Sequence, residues 1–187
     1  MKTHPMITVA RRAAFCVFLL SIPVLGTAQV KDSEAIMSTL QEVRSHAALA
    51  QDDAATLEAY ARSPMSWESH ARQLNLIKEH ANDLLSDFNK LTSLRAEGSP
   101  WQQQAIDGID PLLRDMAAHL TSTIQHLNDN KSQIQMKAYK DLVRANLDLM
   151  TRAHESISDF VDYGTAKAKA DDLEQKLALP DLSAPGL

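Results

Sequence analysis

The side chains with the widest chemical reach in this 187-residue sequence are its seven histidines, six of which follow residue 28. A neutral imidazole binds zinc, copper or nickel, and it exchanges protons near neutral pH. No local metal signature frames these residues. Beyond residue 28 the chain has no His-Glu-x-x-His, no EF-hand loop and no Glu-x-x-His of the di-iron bundle kind. His119 and His126 are seven residues apart, so they share a helix face but lie two turns apart, too far to hold one ion comfortably. Any site must therefore be assembled from separate helices. The lone Cys16 lies near the N-terminus.

The elements that would position them are read from apolar spacing. After Asp32 and Ser33, both good N-caps, Ile36, Leu40, Val43, Ala47, Ala50, Ala54, Leu57 and Ala61 alternate spacings of four and three, which predicts a helix to about Arg62. After Ser66 the pattern returns in Trp67, His70, Leu74, Ile77, Ala81, Leu84, Phe88 and Leu91. Ser99-Pro100-Trp101-Gln102 reads as an N-cap, a first-position proline and a capping box. The third helix it opens carries Ala105, Ile109, Leu112, Leu113, Met116, Leu120, Ile124 and Leu127. Pro111 predicts a kink, or a break with a restart capped by Asp110. A fourth helix from about Ser132 is carried by Ile134, Ala138, Leu142, Ala145, Leu149, Ala153, Ile157 and Phe160, with Asn146 beside the stripe.

Four long segments with short links predict an all-α fold, a long antiparallel up-down-up-down four-helix bundle over residues 29–164. A helical extension follows at 165–179, with Ala166, Ala170, Leu173 and Leu177 at heptad spacing and Gly164 as a bend, and residues 180–187 form a flexible tail.

With neighbouring helices antiparallel and rising about 1.5 Å per residue, His46 and His80 fall at one height, His119 about a turn away, and Asn146 near them. These four are the candidate ligand-binding residues. His70 and His126 share a height nearer the other end. The plainest use of such residues is structural, a hydrogen-bonded imidazole or a register-fixing Asn. Ala47, Ala48, Ala50, Ala54 and Ala55 thin the first helix beside His46, and dense packing is the ordinary use of that space. Met37, Met116 and Met150 would be the methionine ligands of a non-covalent haem, although methionine is commonly core filler. No catalytic residue and no cofactor is assigned. Asp52-Asp53 and Asp171-Asp172 read as charged pairs on solvated faces.

The address is written in residues 1–28. Lys2, Arg11 and Arg12 are followed by an apolar run from Ala13 to Leu25 and the small residues Gly26-Thr27-Ala28. This is the layout of a cleavable signal peptide. The run is shorter than the roughly 20 residues that span a bilayer, so the mature chain is expected to carry no transmembrane helix and to be periplasmic or secreted. Cleavage after Ala28 removes the only cysteine and three basic residues, leaving 16 Lys and Arg against 24 Asp and Glu, a net charge of −8. That excludes disulfides and cysteine-held metals from the mature chain, and an acidic surface argues against nucleic acid as partner. The expectation is an exported, non-enzymatic bundle acting by protein interaction or self-association, as a scaffold, adaptor or chaperone-like protein in the cell envelope. The alternative is a periplasmic bundle that binds a metal, haem or small ligand.

Overall fold

The computed structural model describes residues 31–177. The export signal read in residues 1–28 lies outside them, as do positions 178–179 and the tail at 180–187. The described chain is four helices without a strand: α1 (Glu34–Ala61), α2 (Trp67–Leu94), α3 (Pro100–Asp129) and α4 (Lys137–Leu177). Short 3-10 turns at Arg95–Glu97 and Lys131–Gln133 join α2 to α3 and α3 to α4. Each helix packs on the two beside it, in the order α1, α2, α3, α4 and back to α1. No helix is long and apolar enough to cross a membrane among the described residues.

The caps follow the sequence. The backbone N–H groups of Ile36 and Ser69 donate to the Ser33 and Ser66 hydroxyls, which satisfies donors the first helical turns leave free. Gln102 does more than close its own capping box. Its Oε1 accepts from the backbone N–H of both Ser99 (3.1 Å) and Ser33 (2.9 Å), and its Nε2 donates to the Ser33 carbonyl at 2.9 Å. One fully buried amide thus ties the start of α1 to the start of α3.

One local expectation is narrowed and another is corrected. α3 runs unbroken from Pro100 to Asp129, with no restart at Asp110. The carbonyl that Pro111 leaves unpaired belongs to Asp107, and both residues are exposed, which opens the missing bond to solvent. In α4 the buried stripe is Tyr139, Val143, Asn146, Met150, Ala153, Ile157, Val161 and Gly164. Its first half lies one residue after the expected Ala138, Leu142, Ala145 and Leu149, because Ile134 is buried in the turn before the helix and is not its first core position. Met116 and Met150 are core residues, each about 1% exposed.

Gly164 lies inside continuous helix, buried against Trp101 of α3 and Met37 of α1. A Cβ there would stand 2.6 Å from Trp101 Cη2 and 2.8 Å from Met37 Sδ. The indole cannot swing aside freely, because its Nε1–H donates to Asp32 Oδ1 at 2.8 Å. Overpacking costs about 1 to 3 kcal/mol, more than the roughly 1 kcal/mol that alanine gains over glycine in a helix. Gly164→Ala is therefore expected to lower the melting temperature. At Gly108 a Cβ meets only Phe160, at 3.6 Å, and Gly108→Ala should raise it. Thermal melts of the two variants check both signs.

Candidate metal centre

Small side chains let α1 and α2 approach closely. Ala47, Ala50 and Ala54 are buried on α1, and α1 packs more extensively on α2 than on α4. Above this seam, half-buried, sit His46 of α1 and His80 of α2, with ring centroids 6.5 Å apart. Asp83, one turn beyond His80, adds a carboxylate. One ligand atom from each of His46, His80 and Asp83 lies within 4.8 Å of the others. His46 Nδ1 is 3.9 Å from Asp83 Oδ2, and that carboxylate is 60% exposed and free to turn.

Two further carboxylates face the outer nitrogens. His46 Nε2 lies 3.5 Å from Asp87 Oδ2, and His80 Nε2 lies 3.5 Å from Asp53 Oδ2. Each histidine thus meets an aspartate from the opposite helix. Both aspartates are held in turn. Asp87 Oδ1 accepts from Lys90 Nζ at 2.6 Å, and Asp53 Oδ1 accepts from Gln73 Nε2 at 2.8 Å. The hydrogen bond to Asp87, with its negative charge, holds the Lys90 ammonium above its ordinary pKa. Asp53 is therefore not one of a solvated pair with Asp52, as its sequence context suggests. The inner nitrogens are less closely met, His46 Nδ1 only by the exposed Asp83 carboxylate at 3.9 Å. The Nδ1 atoms of His46 and His80 are buried and without a hydrogen bond among the described residues.

Of the four residues singled out from sequence, the structure brings His46 and His80 together and leaves His119 and Asn146 at the α3–α4 interface. Asn146 is fully buried, and its Nδ2 donates to Thr123 Oγ1 and to the Leu142 carbonyl. His119 lines a shallow groove with Asp115, Ser122 and Leu149, its own Nδ1 buried and unpaired among the described residues. The residues that sequence reasoning missed are Asp53, Asp83 and Asp87. The signal was present: His46 and Asp53 are seven apart on α1, as are His80 and Asp87 on α2, and two antiparallel helices exchange such pairs.

Towards the other end, one aromatic or imidazole ring from each helix forms a second cluster. His70 of α2 is fully buried, its Nδ1 3.0 Å from the Tyr139 hydroxyl of α4. Tyr60 of α1 packs edge-on to His70, and His126 of α3 stacks on Tyr139. His70 and His126, matched in height by sequence, thus meet the same tyrosine. Burial pushes the His70 pKa down and the Tyr139 pKa up, so burial favours the neutral form of both rings, which share one hydrogen bond. The folded pKa of His70 lies below its unfolded value, so its contribution to stability is intact above about pH 6.5 and is lost as pH falls from there towards the folded value. Acidification from pH 7 to 5 should lower the melting temperature, and less so in His70→Phe. Thermal melts across that range measure the difference.

No protein-family model, curated protein or solved structure matches this chain.

Proposed function

We propose that this chain is an exported four-helix bundle that binds one divalent first-row transition ion between α1 and α2. The observation that carries this reading is the convergence of His46, His80 and Asp83 with two buried, unpaired imidazole nitrogens among them. Two imidazoles and one carboxylate suit zinc, nickel or copper, whereas calcium and magnesium take oxygen ligands throughout. Three protein ligands leave a tetrahedral ion one position for water or an exchanging ligand. Asp83 is the exposed member and closes on the ion as it arrives. Export is supported by the signal-peptide layout of residues 1–28. Zinc titration of the tag-free mature protein, read by calorimetry, tests the reading: one ion per chain is expected, with binding lost in both His46→Ala and His80→Ala. No saturable binding by the wild type would end it.

A second reading has its own observation. From Ala168 to Leu177 every residue of α4 is exposed, Leu173 and Leu177 at 46% and 64%. Lys176 pairs with Asp172 along its polar side. We propose that this extension joins two copies of the chain through its Ala170, Leu173 and Leu177 stripe, since two leucines per copy bury apolar area only against a partner. Sedimentation equilibrium of the full mature chain is expected to show a dimer that a chain ending at Gly164 does not form; a monomer at all concentrations would remove this reading.

A further inference from the structure

We infer that Asp53 and Asp87 are positioning residues that hold His80 and His46 as the Nε2–H tautomers, so that both imidazoles present Nδ1 to the ion. The inference rests on the metal-binding reading of the same site.

A neutral imidazole has one N–H and one lone pair, and an ionised carboxylate only accepts. The nitrogen facing a carboxylate is therefore the one that carries the proton. In His80 that nitrogen is Nε2, 3.5 Å from Asp53 Oδ2; in His46 both nitrogens face a carboxylate, and Nε2 is the nearer, 3.5 Å from the buried Asp87 Oδ2 against 3.9 Å from Nδ1 to the exposed Asp83 Oδ2. A small ring rotation brings each pair within hydrogen-bond length. The lone pair then falls on Nδ1, the atom that in both rings is buried without a partner among the described residues.

The carboxylates are built for this task. Lys90 occupies Oδ1 of Asp87 and Gln73 occupies Oδ1 of Asp53, which leaves Oδ2 of each for the imidazole. Gln73 also donates to the Asp53 backbone carbonyl at 3.1 Å, so the residue that orients the carboxylate also clamps the helix carrying it. Asp87 and Gln73 are themselves buried, 7% and 6% exposed. The arrangement occurs twice, related by the antiparallel pairing of α1 and α2, with a seven-residue His-to-Asp spacing on each helix. A carboxylate behind a metal-binding histidine fixes its tautomer and orientation and raises its basicity, and losing it typically costs 10-fold to 100-fold in affinity. Lys90 and Gln73 hold these carboxylates from behind, and Asp83 alone is left exposed to complete the ligand set.

The test uses full-length mature protein labelled with 15N-histidine, without added metal, at pH 8. Long-range proton–nitrogen correlation reads the tautomer of each ring. His46 and His80 are expected as Nε2–H. Asp87→Ala should shift the tautomer of His46 alone, and Asp53→Ala that of His80 alone. Zinc affinity should fall about 10-fold to 100-fold in each variant, with cooperative unfolding retained. Nδ1–H rings in the wild type, or tautomers unmoved by the aspartate variants, would overturn the inference. So would wild-type zinc affinity in both variants, an outcome that leaves the metal-binding reading standing. Absence of zinc binding by the wild type would overturn the metal-binding reading, and with it the role assigned to these aspartates.

Discussion

Leu74→Asp is expected to unfold the bundle. Leu74 is 2% exposed and lies in the α2 stripe between His70 and Ile77. The substitution removes about 1.5 to 3 kcal/mol of apolar burial and places a carboxylate where no cation of the core answers it, so that the group is either desolvated or protonated at further cost. The total of several kcal/mol is comparable with the roughly 5 to 15 kcal/mol that holds an ordinary domain together. Glu79, exposed on the same helix, provides the contrast: Glu79→Lys should change stability by no more than about 0.5 kcal/mol. Helicity and thermal unfolding followed by circular dichroism measure both. Equal loss in the two variants would mean that the α2 face is misassigned.

Zinc is expected to raise the melting temperature of the wild type and to leave that of a His46→Ala, His80→Ala double variant unmoved. An ion that binds the folded chain alone stabilises it by about 2.7 kcal/mol at one hundred times its dissociation constant. For a chain of this size that corresponds to a shift of roughly 5 to 10 °C. The shift should follow free zinc logarithmically, because the linkage is one ion to one fold. A similar rise in the double variant would place the ion elsewhere, on exposed carboxylates for instance.

The sequence carried much of this fold because α1 and α2 are patterned without interruption. Every position of the α1 stripe from Ile36 to Ala61 is buried, and so is the α2 stripe from His70 to Leu91. α4 was harder to place. Leucine and alanine fill the register one residue earlier, Ala138, Leu142, Ala145 and Leu149, whereas the true core there is Tyr139, Val143, Asn146 and Met150, two of them polar. A slip of one residue rotates a helix face by about 100°. Height along the bundle is what sets Asn146 near the His46–His80 pair in the sequence; its side chain instead hydrogen-bonds Thr123 of α3.

The site was half legible. Rise per residue is enough to set His46 beside His80, since two antiparallel helices with a short turn have only one register. The aspartates escaped because an acidic residue on a helix is ordinarily solvated, and Asp53 beside Asp52 fits that habit. Burial of Asp87 under the seam, and of Gln73 behind Asp53, depends on how far the thin alanine face of α1 lets α2 sink. Composition alone does not fix that distance.

The most direct test of the central claim is anomalous diffraction at the zinc edge from crystals of residues 29–187 grown with equimolar zinc. If the proposed site binds zinc, a single strong peak is expected between His46 Nδ1, His80 Nδ1 and the Asp83 carboxylate, at about 2.0 to 2.2 Å from each ligand atom. No peak there, or a peak held only by other residues, would contradict it.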